Sequence, residues 1–482
     1  MGKISLEKIH EELKPFFEPE GVAIIGASRN PEKVGYGLVK GLKEGGVFSR
    51  PGLKGFSGGI YPVNPKVEEI LGVKCFPSIL EVKGKVDLAI IAVPARFVPQ
   101  IMKECAEKKV KSAIIISAGF SEAGDEGKRL QEEFLRIAQE AGIRIVGPNC
   151  LGILYPPNNL NASFGLTLPY PGKIAFISQS GALADSIIDW SIKEKYGFSA
   201  LISYGNKADL DLPHFLAWAS LDKNTQSICV YMEGLNDGHF FLDVAREVTL
   251  RKPVVALKAG KSTVGTRAVS SHTGSLAGTY AVYQGAFKQC GIISADSLTE
   301  MFNISKGFAL MPPLKGNRIA VVTNGGGSGV LCADALEEEG LTLPPPSKWM
   351  VDKIEESGFM HPAWSRNNPF DIVGDASPER YRVVLEEIMG SSLYDGVIVI
   401  QTLQTMTDTV KDAEIVVECF AKYRKPVVTS FRSGYFAEEG IKILEDSGIP
   451  NYDDVQEAAR VMSALRRYGS YLNKRKNERE DL

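Results

Sequence analysis

The chain has 482 residues, 44% of them hydrophobic, and a net charge of −3 from 55 basic and 58 acidic side chains. At roughly 100–200 residues per domain this length predicts three domains; the mixed charge excludes a basic nucleic-acid face, and with no apolar run of about 18 residues no membrane span is expected. The seven scattered cysteines lack a CxxC spacing, which argues for a reducing cytoplasm and against a zinc site or disulfide framework, and the charged start "MGKISLEKIHEELKPFFEPE" does not read as a secretory signal.

In chain order, "GVAIIGAS" (21–28), "DLAIIAVP" (87–94), "SAIIISAG" (112–119) and "IRIVGPN" (143–149) read as buried parallel strands. Between them, "RFVPQIMKECAEKK" and "GKRLQEEFLRIAQEAG" carry apolar residues three or four apart and stop near a glycine, as helices do. Residues 1–150 are therefore expected to form one doubly wound domain. "YPPNNLNASFGLTLPYPG" (155–172) reads as an interdomain connection. A second series, "KIAFISQSG", "FSALISYGN", "SICVYMEG" and "PVVALKAG", falls within 151–305, and a third, "RIAVVTNGGGSG", "DGVIVIQTLQT" and "PVVTSF", within 306–470. Residues 471–482 are expected to be a flexible tail. The predicted fold class is α/β, three doubly wound domains in series.

Ligands of open parallel sheets bind at the carboxyl ends of the strands, where unpaired N–H groups and helix dipoles favour anions. Three glycine turns lie at such ends. In "IIGASRNPEKVGYG", Gly26 turns the strand, Gly35 and Gly37 permit close approach, and Ser28, Arg29 and Lys33 are candidate phosphate ligands. The spacing is not G-x-G-x-x-G, and the next strand ends in "IYPVNPK" (Asn64, Lys66) without an acidic ribose ligand, so a nucleotide other than NAD is expected. "FISQSGALADSI" places Ser178, Gln179, Ser180 and Gly181 where a strand gives way to a helix; the residues alone fit either a small dianion site or a serine N-cap without ligand. "VVTNGGGSGV" lacks the Lys-Ser/Thr of a Walker A loop and reads as a tight turn packed against a partner, with a phosphate site as the alternative.

Two residues stand out chemically. Glu233 ends the strand "CVYMEG", where a carboxylate either caps the next loop or fixes the tautomer of a histidine. His272 sits in "RAVSSHTGSLAGTY" (267–280), a stretch cleared of large side chains and expected to be a loop. Imidazole there either is an ordinary loop histidine or attacks an acyl phosphate and carries its phosphoryl group.

The succession "GAS…VGYG", "VPARF", "ISAGFSE", "GPNCLG", "SQSGAL", "YMEG" and "SSHTGSLAG" resembles the α subunit of succinyl-CoA synthetase. Its third α/β block brings it closer to the α subunits of NDP-forming acyl-CoA synthetases, the ADP-forming acetyl-CoA synthetases. The resemblance covers essentially the whole chain and implies a Rossmann-like CoA-binding domain followed by two flavodoxin-like domains. It also implies a relay in which phosphate cleaves acyl-CoA to an acyl phosphate, a histidine takes the phosphoryl group, and ADP receives it. Carried onto this sequence, His272 is similar to the phosphorylated histidine and Glu233 to the glutamate that orients it. Ser178, Gln179, Ser180 and Gly181 match the phosphate site. CoA would lie along Gly26, Ser28, Arg29, Lys33, Gly35 and Lys66 at its phosphates, then along Val93, Pro94, Ser117, Ala118, Gly119, Asn149 and Cys150 at its thiol end.

No segment reads as the ATP-grasp domain that binds ADP or ATP with Mg²⁺, so the resemblance implies a separate β subunit, an α2β2 heterotetramer and a small carboxylic acid substrate in the cytoplasm, with no nucleic acid, membrane or metal site on this chain. The competing expectations are a CoA ligase or transferase without phosphohistidine, and a CoA-binding regulator that senses acyl-CoA without the relay.

Overall fold

A computed structural model describes residues 5–480, except Lys195, residues 274–277 and Ser433; the side chains of residues 270–273 and of Arg479 are also outside the described residues. The chain divides into two compact units, Met1–Ala295 and Asp296–Leu482.

In the first unit β1 (Gly21–Ile25), β5 (Leu88–Ile91) and β6 (Ser112–Ile115) are buried along their whole length, which is why they read as unbroken apolar runs rather than an alternation. With β2 (Gly59–Val63) and β7 (Arg144–Val146) they form a parallel sheet in the order β2-β1-β5-β6-β7. A short pair, β3 (Glu69–Ile70) with β4 (Val73–Lys74), stands apart from it. Counted along the chain the order is 2-1-3-4-5, so strand order reverses between β1 and β5, and ligands of such sheets bind at that switch point.

A second sheet repeats the scheme. β10 (Tyr170–Ser178), β11 (Gly197–Ser203), β12 (Ser227–Met232), β13 (Val254–Lys258) and β14 (Ile293–Ser294) are again in 2-1-3-4-5 order, with the switch between β10 and β12. The antiparallel hairpin β8 (Gly152–Tyr155) and β9 (Leu160–Ser163) extends it beside β11. The stretch 155–172, expected as a connection, thus contributes the end of β8, all of β9 and the start of β10 to the sheet. Its asparagines serve the fold: Asn159 takes the left-handed φ of 51° that closes the hairpin, and buried Asn161 donates to the Gly45 carbonyl at 3.1 Å.

The two sheets share one unit because the N-terminal helix Leu6–Phe17 clamps them. Phe17 stacks on Trp218 with centroids 3.4 Å apart, and Tyr155 meets both edge-on. Arg144, on the last strand of the first sheet, pairs with Glu12 at 2.7 Å and with Asp209 at 3.0 Å.

The second unit is built on β15 (Ile319–Thr323), β16 (Phe370–Asp371), β17 (Gly396–Gln401) and β18 (Val427–Phe431), in the order β16-β15-β17-β18. Helix Val455–Glu480 runs through residues 471–480, where a flexible tail is expected from the sequence. The pairs Lys474–Glu478, Arg475–Glu478 and Lys476–Glu480 fall three or four residues apart, the spacing that supports an exposed helix face. No helix among the described residues is long and apolar enough to cross a membrane.

One buried acid makes this unit pH-sensitive. Asp412 is fully buried in helix Thr409–Tyr423, accepts one hydrogen bond from the Gln401 amide, and its other oxygen has no partner among the described residues. Burial pushes its carboxyl up to about 7. A folded-state value raised above the unfolded one gives stability that is fully present below the ordinary aspartate value near 4 and is lost progressively as pH rises from there to about 7. Asp412→Asn keeps the acceptor for Gln401 and removes the charge, so its melting temperature should exceed the wild type's by a small margin at pH 5 and by a much larger one at pH 8. At about 1.4 kcal/mol per pKa unit the gain at pH 8 is on the order of 4 kcal/mol at most; equal melting curves at pH 8 would refute it.

Candidate active site

The candidate CoA-binding residues lie along the carboxyl edge of the first sheet. Gly26 adopts φ +94°, and a Cβ built there would stand 2.4 Å from the Ala92 carbonyl oxygen. A Cβ on Gly35 would stand 2.0 Å from the Gly26 oxygen, so the first turn and the helix Val34–Glu44 touch through glycine alone. The two loops of the switch point therefore meet at Gly26 and Val93. Around them Arg29, Lys33 and Lys66 are exposed cations. The Arg29 Nε donates to the Glu69 carbonyl at 2.8 Å, the Ser28 hydroxyl accepts from the Asn30 N–H at 3.0 Å, and the Lys66 N–H donates to Asn64 Oδ1 at 2.9 Å. Farther along the edge, the Ser117 hydroxyl donates to the Val93 carbonyl at 2.5 Å, and Gly119 turns with φ +102° beside exposed Pro94 and Ala118.

At the second switch point the three polar residues of "SQSG" divide their work. Ser178 is fully buried; its hydroxyl donates to the Ser180 carbonyl at 2.7 Å and accepts from the Ser180 N–H at 3.2 Å, so it closes the turn instead of facing a ligand. Ser180 caps helix Gly181–Lys193, accepting the Leu183 N–H at 3.3 Å, which leaves its own O–H to donate. Gln179 Oε1 accepts the N–H groups of Glu233 at 2.9 Å and of Gly234 at 3.1 Å, pinning the end of β12 to the end of β10.

Glu233 is 4% exposed. Burial, and behind it the hydrogen-bonded Glu233 carboxylate, pushes the Tyr231 phenol up to about 12. Burial pulls the Lys258 ammonium down, and the Glu233 charge opposes that. The carboxylate thus sits inside the wall, in the field of a phenol and a lysine.

These groups converge on one cavity of about 680 Å³ between the two sheets of the first unit. Asn149 and Cys150 line it from the first sheet; Gln179, Ser180, Gly181, Asp185, Lys207, Glu233 and Asn236 line it from the second. Glu122 fastens the two sides, accepting the Gly119 N–H at 2.7 Å and the Asn206 amide at 2.5 Å. Burial pushes the Cys150 thiol up to about 12, so it is a neutral wall group at pH 7 and not a nucleophile. The structure therefore brings Gln179, Ser180, Gly181, Glu233, Asn149 and Cys150 together, keeps Ser178 out of the cavity, and leaves the remaining CoA candidates on the neighbouring sheet edge. The sequence reading missed Lys207, Asp185, Asn206, Asn236 and Glu122; the loop "YGNKADLD" offered only a lysine two residues after a glycine, just past the end of a strand.

His272, expected in a loop, has its backbone in the last turn of helix Thr263–Thr273. No proline interrupts that stretch, and the Ser262 hydroxyl accepts the Gly265 N–H at 3.0 Å to start it. The His272 side chain lies outside the described residues. In the second unit, packing accounts for three of the four glycines of "NGGGSG": a Cβ at Gly325 would stand 2.6 Å from Thr402, at Gly326 2.7 Å from Asp371, and at Gly329 2.9 Å from Thr323, while one at Gly327 would meet open space.

Comparisons with known proteins follow this layout block by block. Residues 20–156 match a CoA binding domain, 171–308 a succinyl-CoA ligase-like flavodoxin domain, and 319–470 a ligase-CoA domain. The chain is 42% identical over 456 residues to the α subunit of the ADP-forming acetate–CoA ligase II of Pyrococcus furiosus, covering 93% of this chain and 96% of that one. It is 42% identical over 470 residues to the ADP-forming acetate–CoA ligase I of Archaeoglobus fulgidus, covering 98% of this chain and 65% of that one. Among solved structures, the dinucleotide-forming acetyl-coenzyme A synthetase 1 of Ca. Korarchaeum cryptofilum in complex with phosphate and ADP superposes with a TM-score of 0.88 at 37% identity, covering 96% of this chain and 98% of that one. Likeness at this level, over all three blocks and nearly the whole length, means that the chain belongs to the family of ADP-forming acetate–CoA ligase α subunits.

Proposed function

We propose that the chain is the catalytic α subunit of an ADP-forming acyl-CoA ligase that interconverts acyl-CoA, ADP and phosphate with a carboxylic acid, CoA and ATP. The observation that carries the reading is the cavity itself: one wall joins a helix N-terminus (Ser180, Gly181), a buried glutamate (Glu233) and the Asn149–Cys150 end of the CoA-type sheet. Anion, imidazole-orienting carboxylate and thioester are thereby given one meeting place.

CoA lies along the first sheet's edge. Its phosphates face the exposed cations Arg29, Lys33 and Lys66 and the glycine turn at Gly26 and Gly35, with Ser28 beside them; its pantetheine arm passes Val93, Pro94, Ser117, Ala118 and Gly119 to end at Asn149 and Cys150. The donor set fits, because turns too tight for a Cβ let backbone N–H groups approach a phosphate. Phosphate bound at Ser180 and Gly181 attacks the thioester carbon; the C–S bond breaks and acyl phosphate forms. Gln179 holds Glu233 in place, and Glu233 is a positioning residue that fixes the tautomer of His272. The imidazole then attacks phosphorus, the acid leaves, and the phosphoryl group is carried on His272.

The acceptor, ADP with Mg²⁺, is held by an ATP-grasp β subunit in an α2β2 assembly. The Pyrococcus relative is named a subunit α, and the Archaeoglobus relative continues well beyond the matched region, which supports a partner that completes the enzyme. The seven cysteines are all unpaired and buried, which suits a reducing cytoplasm. A CoA-binding regulator would need neither the buried Glu233 nor the capped helix beside it.

Incubation of the complex with Mg²⁺ and γ-labelled ATP should place an acid-labile, base-stable label on this chain, and acetate plus CoA should discharge it into phosphate and acetyl-CoA. An unlabelled chain in an active complex would overturn the relay.

A further inference from the structure

We propose that Lys207 is the residue that binds the carboxylate of the acid substrate, and the acyl phosphate derived from it, in the cavity that holds Glu233. The inference rests on the ligase reading above and names the group that recognises the acid.

Three observations converge on Lys207. It lines the 680 Å³ cavity and is only 5% exposed. Its backbone has φ +50°, a left-handed conformation that favours Gly or Asn over a long side chain. That conformation is imposed from both sides: the Asn236 amide donates to the Lys207 carbonyl at 3.0 Å, the Lys207 N–H donates to the Tyr204 carbonyl at 3.2 Å, and the flanking Asn206 and Ala208 N–H groups donate to Pro148 and Gly147. Its charge is felt at Asp211, whose carboxyl it draws down against the dominant effect of burial, but among the described residues no carboxylate oxygen lies within ion-pair distance of its ammonium. Asp211, whose charge is nearest in kind, has both oxygens taken by main-chain donors, Leu212 at 2.7 Å and Asn236 at 2.8 Å.

A buried, unpaired lysine on a strained backbone is unfavourable for the fold, and a fold-driven choice at this position would be Asn or Gly. The chemistry of the site supplies the missing anion. Of the charged side chains on the described wall, Asp185 and Glu233 are acids and Lys207 is the one cation. Yet the site must bring a carboxylate up to a phosphoryl group, two anions that repel.

In the direction of acyl-CoA formation, a carboxylate oxygen bonds to phosphorus while the N–P bond of phosphorylated His272 breaks, its electron pair returning to the imidazole. The CoA sulfur then bonds to the acyl carbon, the C–O bond breaks, and phosphate departs with that pair and the thiol proton. Lys207 transfers nothing. It neutralises the carboxylate on approach and the oxygen to which charge flows in the second step.

The test uses the complex of this chain with its β subunit and acetate as probe. Lys207→Met, close in length and uncharged, should raise the KM for acetate about 10–100-fold, the effect of one charge-assisted hydrogen bond, and leave the KM for CoA and the labelling of the chain by γ-labelled ATP unchanged. Lys207→Arg should restore part of the acetate affinity. Lys207→Asn relieves the left-handed strain, so its melting temperature should equal or exceed the wild type while acetate binding is lost. An unchanged acetate KM in a normally labelled Lys207→Met complex would overturn the inference and leave the relay intact. A Lys207→Asn chain that melts lower, with all KM values displaced together, would make the lysine structural. Absence of label in the wild type would remove the parent reading and this one with it.

Discussion

His272→Ala is expected to abolish labelling of the chain by γ-labelled ATP and to lower acyl-CoA synthesis by at least about 10³-fold, while acyl phosphate still forms from acyl-CoA and phosphate. The split follows from the order of bonds. Phosphorolysis of the thioester needs the phosphate held at Ser180 and Gly181 and the thioester carbon brought there, and neither step uses the imidazole. Every later step does, because the phosphoryl group is carried on the imidazole; the Cys150 thiol, held neutral by burial with a pKa of about 12, is no substitute, and the Ser180 hydroxyl is engaged as a helix cap. Acyl phosphate released by the variant is measurable as its hydroxamate. Retained labelling with full acyl-CoA synthesis would show that another residue carries the phosphoryl group, and loss of acyl phosphate together with the label would place His272 in binding instead.

The parts of this molecule that were readable in its sequence are those in which one physical demand acts on consecutive residues. Strands such as β5 and β12 are buried on both faces, so they appear as apolar runs. Their glycine turns mark where the sheets present ligand-binding edges, and the expected strands that include such a turn run a few residues past the observed ones because the turn belongs to the loop. What escaped depends on pairing across distance. β9 carries Asn161 inside the fold because the Gly45 carbonyl, more than a hundred residues away in sequence, needs a donor. The N-terminal helix looks merely charged until Trp218 supplies the surface on which Phe17 stacks.

The site divides the same way. Residues with a local reason to be where they are, Ser180 at a helix start and Glu233 at a strand end, were named and do line the cavity. Ser178 was named for the same local reason, but its hydroxyl is consumed by the turn it helps to form. Lys207 had no local reason at all, since a lysine in a left-handed loop is explained only by what lies across the cavity. The third sheet shows the converse. "NGGGSG" looks more like a phosphate cradle than either other loop, yet its Thr323 hydroxyl and Gly325 close the same turn as Ser178 and Ser180, and its glycines make room for Thr402 and Asp371. Asn324 bridges β15 to Thr402 after β17 as Gln179 bridges β10 to Glu233 after β12. The switch point is therefore built alike in both places, and only the second sheet puts an acid there.

That acid gives the second large effect. Glu233→Gln should slow phosphorylation of the chain by ATP about 10²–10⁴-fold, leave the KM for CoA within about twofold, and leave the melting temperature unchanged or raised. Glutamine has the same shape, and the hydrogen bonds that hold position 233 come from its own and Gly234's main-chain N–H groups to Gln179, so the wall survives the substitution. What disappears is a negative charge, and three consequences of that loss have a fixed sign. An imidazole deprived of its carboxylate no longer has one tautomer selected and its developing positive charge is no longer stabilised, so the chemical step slows. The Tyr231 phenol, now held up by burial and the Glu233 charge at about 12, should titrate lower. Lys258, whose ammonium burial already pulls down, loses the charge that opposed this and should give up its proton at lower pH still. A buried carboxyl group is also costly to the fold, so replacing it with the isosteric amide should not weaken the protein even as activity falls. Measured together, rate, CoA affinity, phenol titration and melting separate the two roles. A variant that is slow, binds CoA normally and melts no lower identifies Glu233 as the group that orients His272, whereas lost CoA binding or a lowered melting temperature would assign it to the architecture of the wall.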